Sequence, residues 1–232
     1  MTVFDIVIIG AGPAGVSAAL RAASNGAKVC IVEHKRIGSA CFYKGLYPFK
    51  AALTTLRDEK SDLVKDGVVD IEKLLRSLEK TISLITQKWE TNLAELGVEI
   101  IFGAGMPLSS EIIQVKAEEK LLEIRTKKII IATGSYPIPI STLPFEKDNI
   151  ISADDVFQSN TIPKAVLVMG SEGYGCEIAS FYQRLGSKVF LSNHGSRLLA
   201  GQDPDIIDAV ENSFKKIKVK LLMDKSLSSY FK

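Results

Sequence analysis

Little in this sequence suggests a protein made for export. Its 232 residues contain three cysteines, Cys30, Cys41 and Cys176, too scattered and odd in number for a secreted disulfide framework. No apolar run reaches the length that crosses a bilayer, and the N-terminus leads straight into a strand holding Asp5. Neither a membrane segment nor a signal peptide is expected, and the cytoplasm is the expected compartment. A net charge of +2 gives no electrostatic reason to expect nucleic acid. The two histidines, His34 and His194, read as surface residues, and no metal-ligand set is expected.

What is present is globular: 46% apolar and 24% charged residues, enough for one large domain or one and a half ordinary ones. The chain opens on a short apolar run, Asp5-Ile6-Val7-Ile8-Ile9, suited to a strand buried on both faces. Gly10-Ala11-Gly12-Pro13-Ala14-Gly15 follows, then an Ala-rich helix from Val16 to Ser24 that Gly26 ends, then a strand from Lys28 closing at Glu33. This is G-x-G-x-x-G inside a strand–turn–helix–strand unit. Gly10 permits the tight turn, Gly12 lets backbone approach a pyrophosphate and Gly15 lets helix pack on strand. Glu33 can accept from ribose hydroxyls, and the helix N-terminus offers N–H groups to phosphates. The alternative is a Gly-rich turn of another α/β protein; the surrounding elements favour a dinucleotide-binding domain.

Beyond Glu33, residues 36–47 read as a loop and Pro48 as the first residue of a helix through Leu56. Lys50 in its first turn opposes the helix dipole, which makes it a candidate for another duty beside the alternative of a solvated lysine. Asp70 caps a long helix to Leu96 whose apolar stripe runs Ile71, Leu74, Leu78, Ile82, Ile85, Trp89, Leu93, Leu96, a core face in preference to a partner-binding one. Val98–Phe102 is a strand, Gly103-Ala104-Gly105 a turn, and three short strands follow at Ile112–Val115, Leu121–Ile124 and Lys128–Ile131. Pro137, Pro139 and Pro144 form a connector, placing a boundary near residue 150 between a first domain, 1–150, and a partial second one, 151–232. The second repeats the pattern: strand Ala165–Met169, a Gly-containing turn, a helix Tyr174–Leu185, strand Lys188–Leu191, helix Ile206–Lys216 and strand Val219–Met223. The fold expected is α/β, doubly wound and Rossmann-like.

Six blocks in order, DIVIIGAGPAG, IVE, GSACFYKGLYPFK, VEIIFGAG, IIIATGSYP and VLVMGSEGYGCEIA, resemble the pyridine nucleotide–disulfide oxidoreductases, and among them the dihydrolipoamide dehydrogenases. The resemblance covers nearly the whole chain but only the front half of such enzymes, which carry FAD on the first domain and NAD(P) on the second. It implies that Gly10, Gly12, Pro13, Ala14, Gly15 and Glu33 hold the ADP part of FAD. It also implies that main chain at Ala104 lies near adenine and that the Ala132-Thr133-Gly134 turn crosses near the cofactor. Lys50 corresponds to the lysine beside the flavin, a buried cation tolerable only if paired, and Glu177 to its partner.

The departures are as informative. The family's catalytic loop carries two thiols five positions apart; here Cys41 stands at the first and Leu46 at the second, so disulfide turnover at this loop is excluded. Cys41 is left to form a mixed disulfide or to pack inertly. The second glycine motif reads Gly170-Ser171-Glu172-Gly173-Tyr174-Gly175. Two like charges 4 Å apart at an effective dielectric of 20 repel by about 4 kcal/mol, so Glu172 costs a pyrophosphate up to about a thousandfold in affinity. Asn193 stands where the ribose-binding acid is expected, and NAD(H) binding is doubtful. The resemblance places the general base and the segment closing the FAD site in the missing half. Three readings follow: a flavoprotein subunit completed by a separate polypeptide or a second copy, a non-catalytic relative, or a truncated piece of a divergent reductase.

Overall fold

The structure is a computed structural model that describes residues 3–57, 62–65, 68–118, 120–146, 149–225 and 227, without the side chains of Leu46 and Lys65. In chain order the elements are β1 (Val3–Ile9), α1 (Pro13–Ser24), β2 (Val29–Glu33), α2 (Ser39–Tyr43) and α3 (Leu46–Thr55). A small hairpin, β3 (Val64–Lys65) and β4 (Val68–Val69), precedes the long α4 (Ile71–Glu95). Then come β5 (Glu99–Phe102), β6 (Ala104–Pro107), β7 (Ile112–Ala117), β8 (Lys120–Ile131) and a 3-10 turn at Ala153–Gln158. The chain continues with β9 (Ala165–Met169), α5 (Gly173–Arg184), β10 (Lys188–Ser192), α6 (Pro204–Lys216) and β11 (Lys220–Leu222).

Contacts divide these into two compact units, each made of two stretches: 1–45 with 79–136, and 46–78 with 137–232. The first holds a six-stranded sheet in the order β5-β2-β1-β8-β7-β6. Its central strands are parallel, Ile9 facing Val32 on one side and Ile131 on the other. Residues alternate between two buried faces, as a central parallel strand requires. Ile8 and Ile31 pack with Val16 and Ala19 of α1 and Leu93 of α4, while Val7, Ile9 and Val32 pack with Ile113, Val115 and Ile124.

The second unit holds a parallel three-stranded sheet, β11-β10-β9, with a core that joins α3, α5 and α6. Phe49 sits at the centre of an aromatic group, its ring 4.5 Å from Phe157 and 5.6 Å from Phe181.

Helix ends follow local chemistry. Gly26 (φ 85°) ends α1 with paired bonds from Gly26 N to Ala23 O and from Ala27 N to Ala22 O. Gly97 (φ 67°) ends α4 in the same way. Asp70 opens α4 by accepting from Lys73 N at 2.9 Å, as its position predicts.

Four expectations need correction. Residues 36–47 are not all loop, because α2 forms within them. The next helix starts at Leu46, so Pro48 is its third residue; the first four N–H groups of a helix lack intrahelical partners, and a proline there loses no bond. Gly103-Ala104-Gly105 is no turn: β6 begins at Ala104 and pairs with β7, Gly105 facing Val115. The last two of the three short strands are one, β8, antiparallel to β7 in its first half and parallel to β1 in its second.

Replacing Asp70 by alanine leaves an orphan donor at the start of α4 and is expected to lower stability by about 1 kcal/mol. Chemical denaturation followed by Trp89 fluorescence measures it; an unchanged midpoint contradicts the capping role.

A candidate dinucleotide cradle and an ion pair

The first glycine turn is shaped by close approach. A Cβ on Gly15 would lie 1.9 Å from the carbonyl oxygen of Gly10, and one on Gly10 (φ 108°) would lie 2.3 Å from Ala132 O. Only bare Cα atoms let the first turn of α1, the end of β1 and the 132–134 turn converge. Gly12 differs: its Cβ would meet nothing nearer than Ser39 Cβ at 3.8 Å, so its bareness leaves open space beside the turn. Gly12 is also the N-cap of α1, and no side chain caps that end or places an acid in its first turn. Uncapped N–H groups and the positive end of the dipole therefore face that space.

Glu33 closes the cradle from β2. It is 4% exposed, its Oε2 accepts from Ala11 N at 2.7 Å and its Oε1 from Lys35 N at 2.8 Å. A carboxylate has about four lone-pair sites, so two remain after these bonds. The start of β6 is tied alongside, since Gly103 N donates to Glu33 O at 2.8 Å, and Ala104 follows at once. Ala132 N donates to Ile9 O at 2.8 Å, which fixes the Ala132-Thr133-Gly134 turn beside Gly10. Gly10, Gly12, Gly15, Glu33, Ala104 and Ala132 thus gather at one edge of the first unit.

Cys41 lies in α2 of that unit, half-buried, its thiol pushed up from its ordinary value by burial. Its expected partner position is Leu46, whose side chain lies outside the described residues. Lys50 on α3 and Glu177 on α5 belong to the second unit and form an ion pair there. The pair is not buried as expected: Lys50 is 59% exposed and Glu177 22%. In the chain alone it contributes at most about 1 kcal/mol.

The second unit repeats the turn. Gly170 N donates to Ser192 O as Gly10 N does to Val32 O, and a Cβ on Gly175 would lie 1.9 Å from Gly170 O. This correspondence sets Glu172 opposite Gly12 as N-cap of α5, exposed and capping nothing. It sets Asn193 opposite Glu33, where its Nδ2 donates to Arg197 O at 3.1 Å. The Arg197 guanidinium is held by Asp208 and Glu211. Ser171, 1% exposed, keeps a hydroxyl with no partner among the described residues.

Sequence reasoning passed over Lys35, whose N–H orients Glu33, and Arg36, whose guanidinium stacks 3.3 Å from the centre of the Tyr43 ring. It also passed over Arg57 and Arg184, which share a cavity with Lys50. The separation of α3 from α5 in the chain hides that meeting; a basic residue at the end of each helix was the only signal.

The sequence pattern of the pyridine nucleotide-disulphide oxidoreductases matches residues 4–230, and the chain belongs to that family. It is 35% identical over 238 residues to a dihydrolipoyl dehydrogenase of Buchnera aphidicola, covering 97% of this chain and 49% of that protein. A dihydrolipoyl dehydrogenase of Chlorobaculum parvum is 33% identical over 93% of this chain and 48% of its own length. Among solved structures, LpdA from Mycobacterium tuberculosis matches with a TM-score of 0.86 at 23% identity, over 99% of this chain and 52% of its own. The HOCl-induced flavoprotein disulfide reductase RclA of Escherichia coli, as its Cu(II) complex, matches at 0.84 and 22% identity over 99% and 51%. The fold is therefore that of these oxidoreductases, and the chain spans about half the length of its relatives. Among the described residues no helix is long and apolar enough to cross a membrane.

Burial governs the thiols. Desolvation raises Cys30 to about 12, with Glu99 adding to the rise, and Cys176 to about 11, with Glu172 and Glu177 adding. The thiolate is the nucleophile, so raised values mean slow alkylation until the pH passes them. With iodoacetamide at pH 8, Cys41 is expected to react more slowly than a free peptide thiol, and Cys30 and Cys176 only after denaturation. Mass spectrometry of the labelled chain reads this; faster-than-free labelling of Cys41 contradicts it.

Proposed function

We propose that the chain is an FAD-binding flavoprotein unit of the dihydrolipoyl dehydrogenase type, passing electrons through FAD without dithiol–disulfide exchange. The observation that carries this reading is the fit of the first cradle. Its helix end is uncapped, its middle glycine opens on free space, and its buried acid keeps acceptor capacity. Gly10, Gly12, Pro13, Ala14 and Gly15 would hold the pyrophosphate, Glu33 the ribose, and main chain at Ala104 the adenine side. The Ala132-Thr133-Gly134 turn would steady the cofactor next to Gly10. FAD, when bound, supplies a two-electron carrier. Lys50, paired with Glu177, is the cation this reading sets beside the flavin ring.

The same residues set the limits of the activity. Leu46 has no sulfur, so Cys41 cannot close a disulfide five residues on, and its raised thiol is a poor nucleophile. Glu172 puts a negative charge at the end of α5 where a second pyrophosphate would lie, and Asn193 is a weaker acceptor than a carboxylate. Both weigh against tight NAD(H) binding at this turn. Leu167 and Met169 are exposed on β9, at the edge of the sheet among the described residues, and this reading has a further polypeptide segment or a second copy cover them. The second reading, a non-catalytic relative that keeps the fold for binding, is favoured by Leu46 and Glu172 alone.

Reconstitution separates the two. The purified chain mixed with excess FAD and desalted is expected to stay yellow. Glu33→Ala should weaken FAD by about tenfold to a hundredfold, one to two charge-assisted hydrogen bonds. Anaerobic NADH should leave the colour unchanged while a chemical reductant bleaches it. A colourless protein supports the non-catalytic reading, and dihydrolipoamide-dependent NAD reduction at ordinary enzyme rates contradicts the loss of dithiol chemistry.

A further inference from the structure

Within the second unit, α3, α5 and α6 enclose a concave cavity of about 410 Å³ that the cradle does not use. That volume falls in the range of small-ligand pockets, roughly 300–1,000 Å³. Its floor is apolar, made by Leu53 of α3 and by Val210, Phe214 and Ile217 at the end of α6.

The polar lining decides the ligand class by elimination. The Thr54 hydroxyl donates to Lys50 O at 2.7 Å and that of Ser180 to Cys176 O at 2.9 Å, each within its own helix. The Cys176 thiol donates to Ser171 O. Glu177 is engaged by Lys50. Among the described residues, three cations, Lys50, Arg57 and Arg184, therefore line the cavity against a single carboxylate that one of them already holds. Arg184 gives one N–H to Leu56 O at 3.4 Å, at the end of α3, which leaves donors of its fork free. Among the described residues Arg57 has no acidic partner. Hydroxyl-rich neutral ligands would find donors in plenty but few acceptors beyond the Ser213 hydroxyl. A carboxylate would find two arginines, whose planar forks suit it, beside an apolar lining.

We infer that this cavity is a binding site for a small amphipathic carboxylate, its head on Arg57 and Arg184 and its hydrocarbon body on Leu53, Val210, Phe214 and Ile217. The cavity shares Lys50 and Glu177 with the flavin side of the proposed function, whereas Arg57, Arg184 and Val210, which carry this inference and its test, have no part in holding FAD.

Isothermal titration of the full chain with hexanoate tests it, with hexanol and acetate as the partial probes. Hexanoate is expected to saturate one site, at least about tenfold more tightly than either, because a charge-assisted hydrogen bond contributes about 1.5–3 kcal/mol. Arg57→Gln, a change at an exposed helix end, should bring hexanoate down to the level of hexanol without moving the thermal midpoint. Val210→Trp should abolish binding by filling the floor. FAD affinity should be the same in both variants, so a failure of the cavity and a failure of the cradle are told apart. No saturable heat, equal binding of hexanoate and hexanol, or an unaltered affinity in Arg57→Gln would each overturn the assignment.

Discussion

Everything in the first unit hangs on the approach of α1 to the carbonyl of Gly10. The gap leaves no room for a side chain at Gly15, and it fixes the height at which the helix N-terminus meets the end of β1. From that one contact follow the uncapped N–H groups above Gly12 and the reach of Glu33 to Ala11 N. The tie of the 132–134 turn to Ile9 O completes the arrangement. The second unit keeps the contact, Gly175 against Gly170, and loses the open position, since Glu172 replaces the bare residue. The outer glycines of the motif serve packing, and the middle one leaves open space beside the turn. These are separable constraints, and this chain retains both in one unit and only the first in the other.

That separation lets the two units share the packing contact without sharing the open position. Gly10 with Gly15 and Gly170 with Gly175 keep the packing contact in both units, while Leu46, Glu172 and Asn193 stand where the proposed function would need a sulfur or contacts to a second nucleotide. Neither Glu172 nor Asn193 disturbs the fold around it: Glu172 is exposed and Asn193 bonds locally to Arg197 O.

Much of this was legible in the sequence because it is local. Gly26 and Gly97 end helices by their own conformation, Asp70 caps by reaching three residues on, and β9 runs over the five residues its apolar pattern marks. What was not legible depends on partners far along the chain. Gly103 and Gly105 looked like a turn, yet they are bare because Val115 and Val32 press on them within 3 Å of an ideal Cβ. The unbroken course of β8 reflects two successive partners, β7 and then β1, which no window of sequence reveals. Pro48 suggested a helix start because its preference holds for the whole first turn and does not single out one position. The cradle residues were found by motif and Lys50 by its place near a helix start, whereas its pairing with Glu177, 127 residues away, came only from resemblance.

The central claim is that cofactor affinity resides in the ADP half, held between the Gly12 opening and Glu33. Competition of ADP and of FMN against FAD on the purified chain tests it most directly. The account predicts that ADP displaces FAD and that FMN at equal concentration does not. Displacement by FMN with no effect of ADP would contradict it.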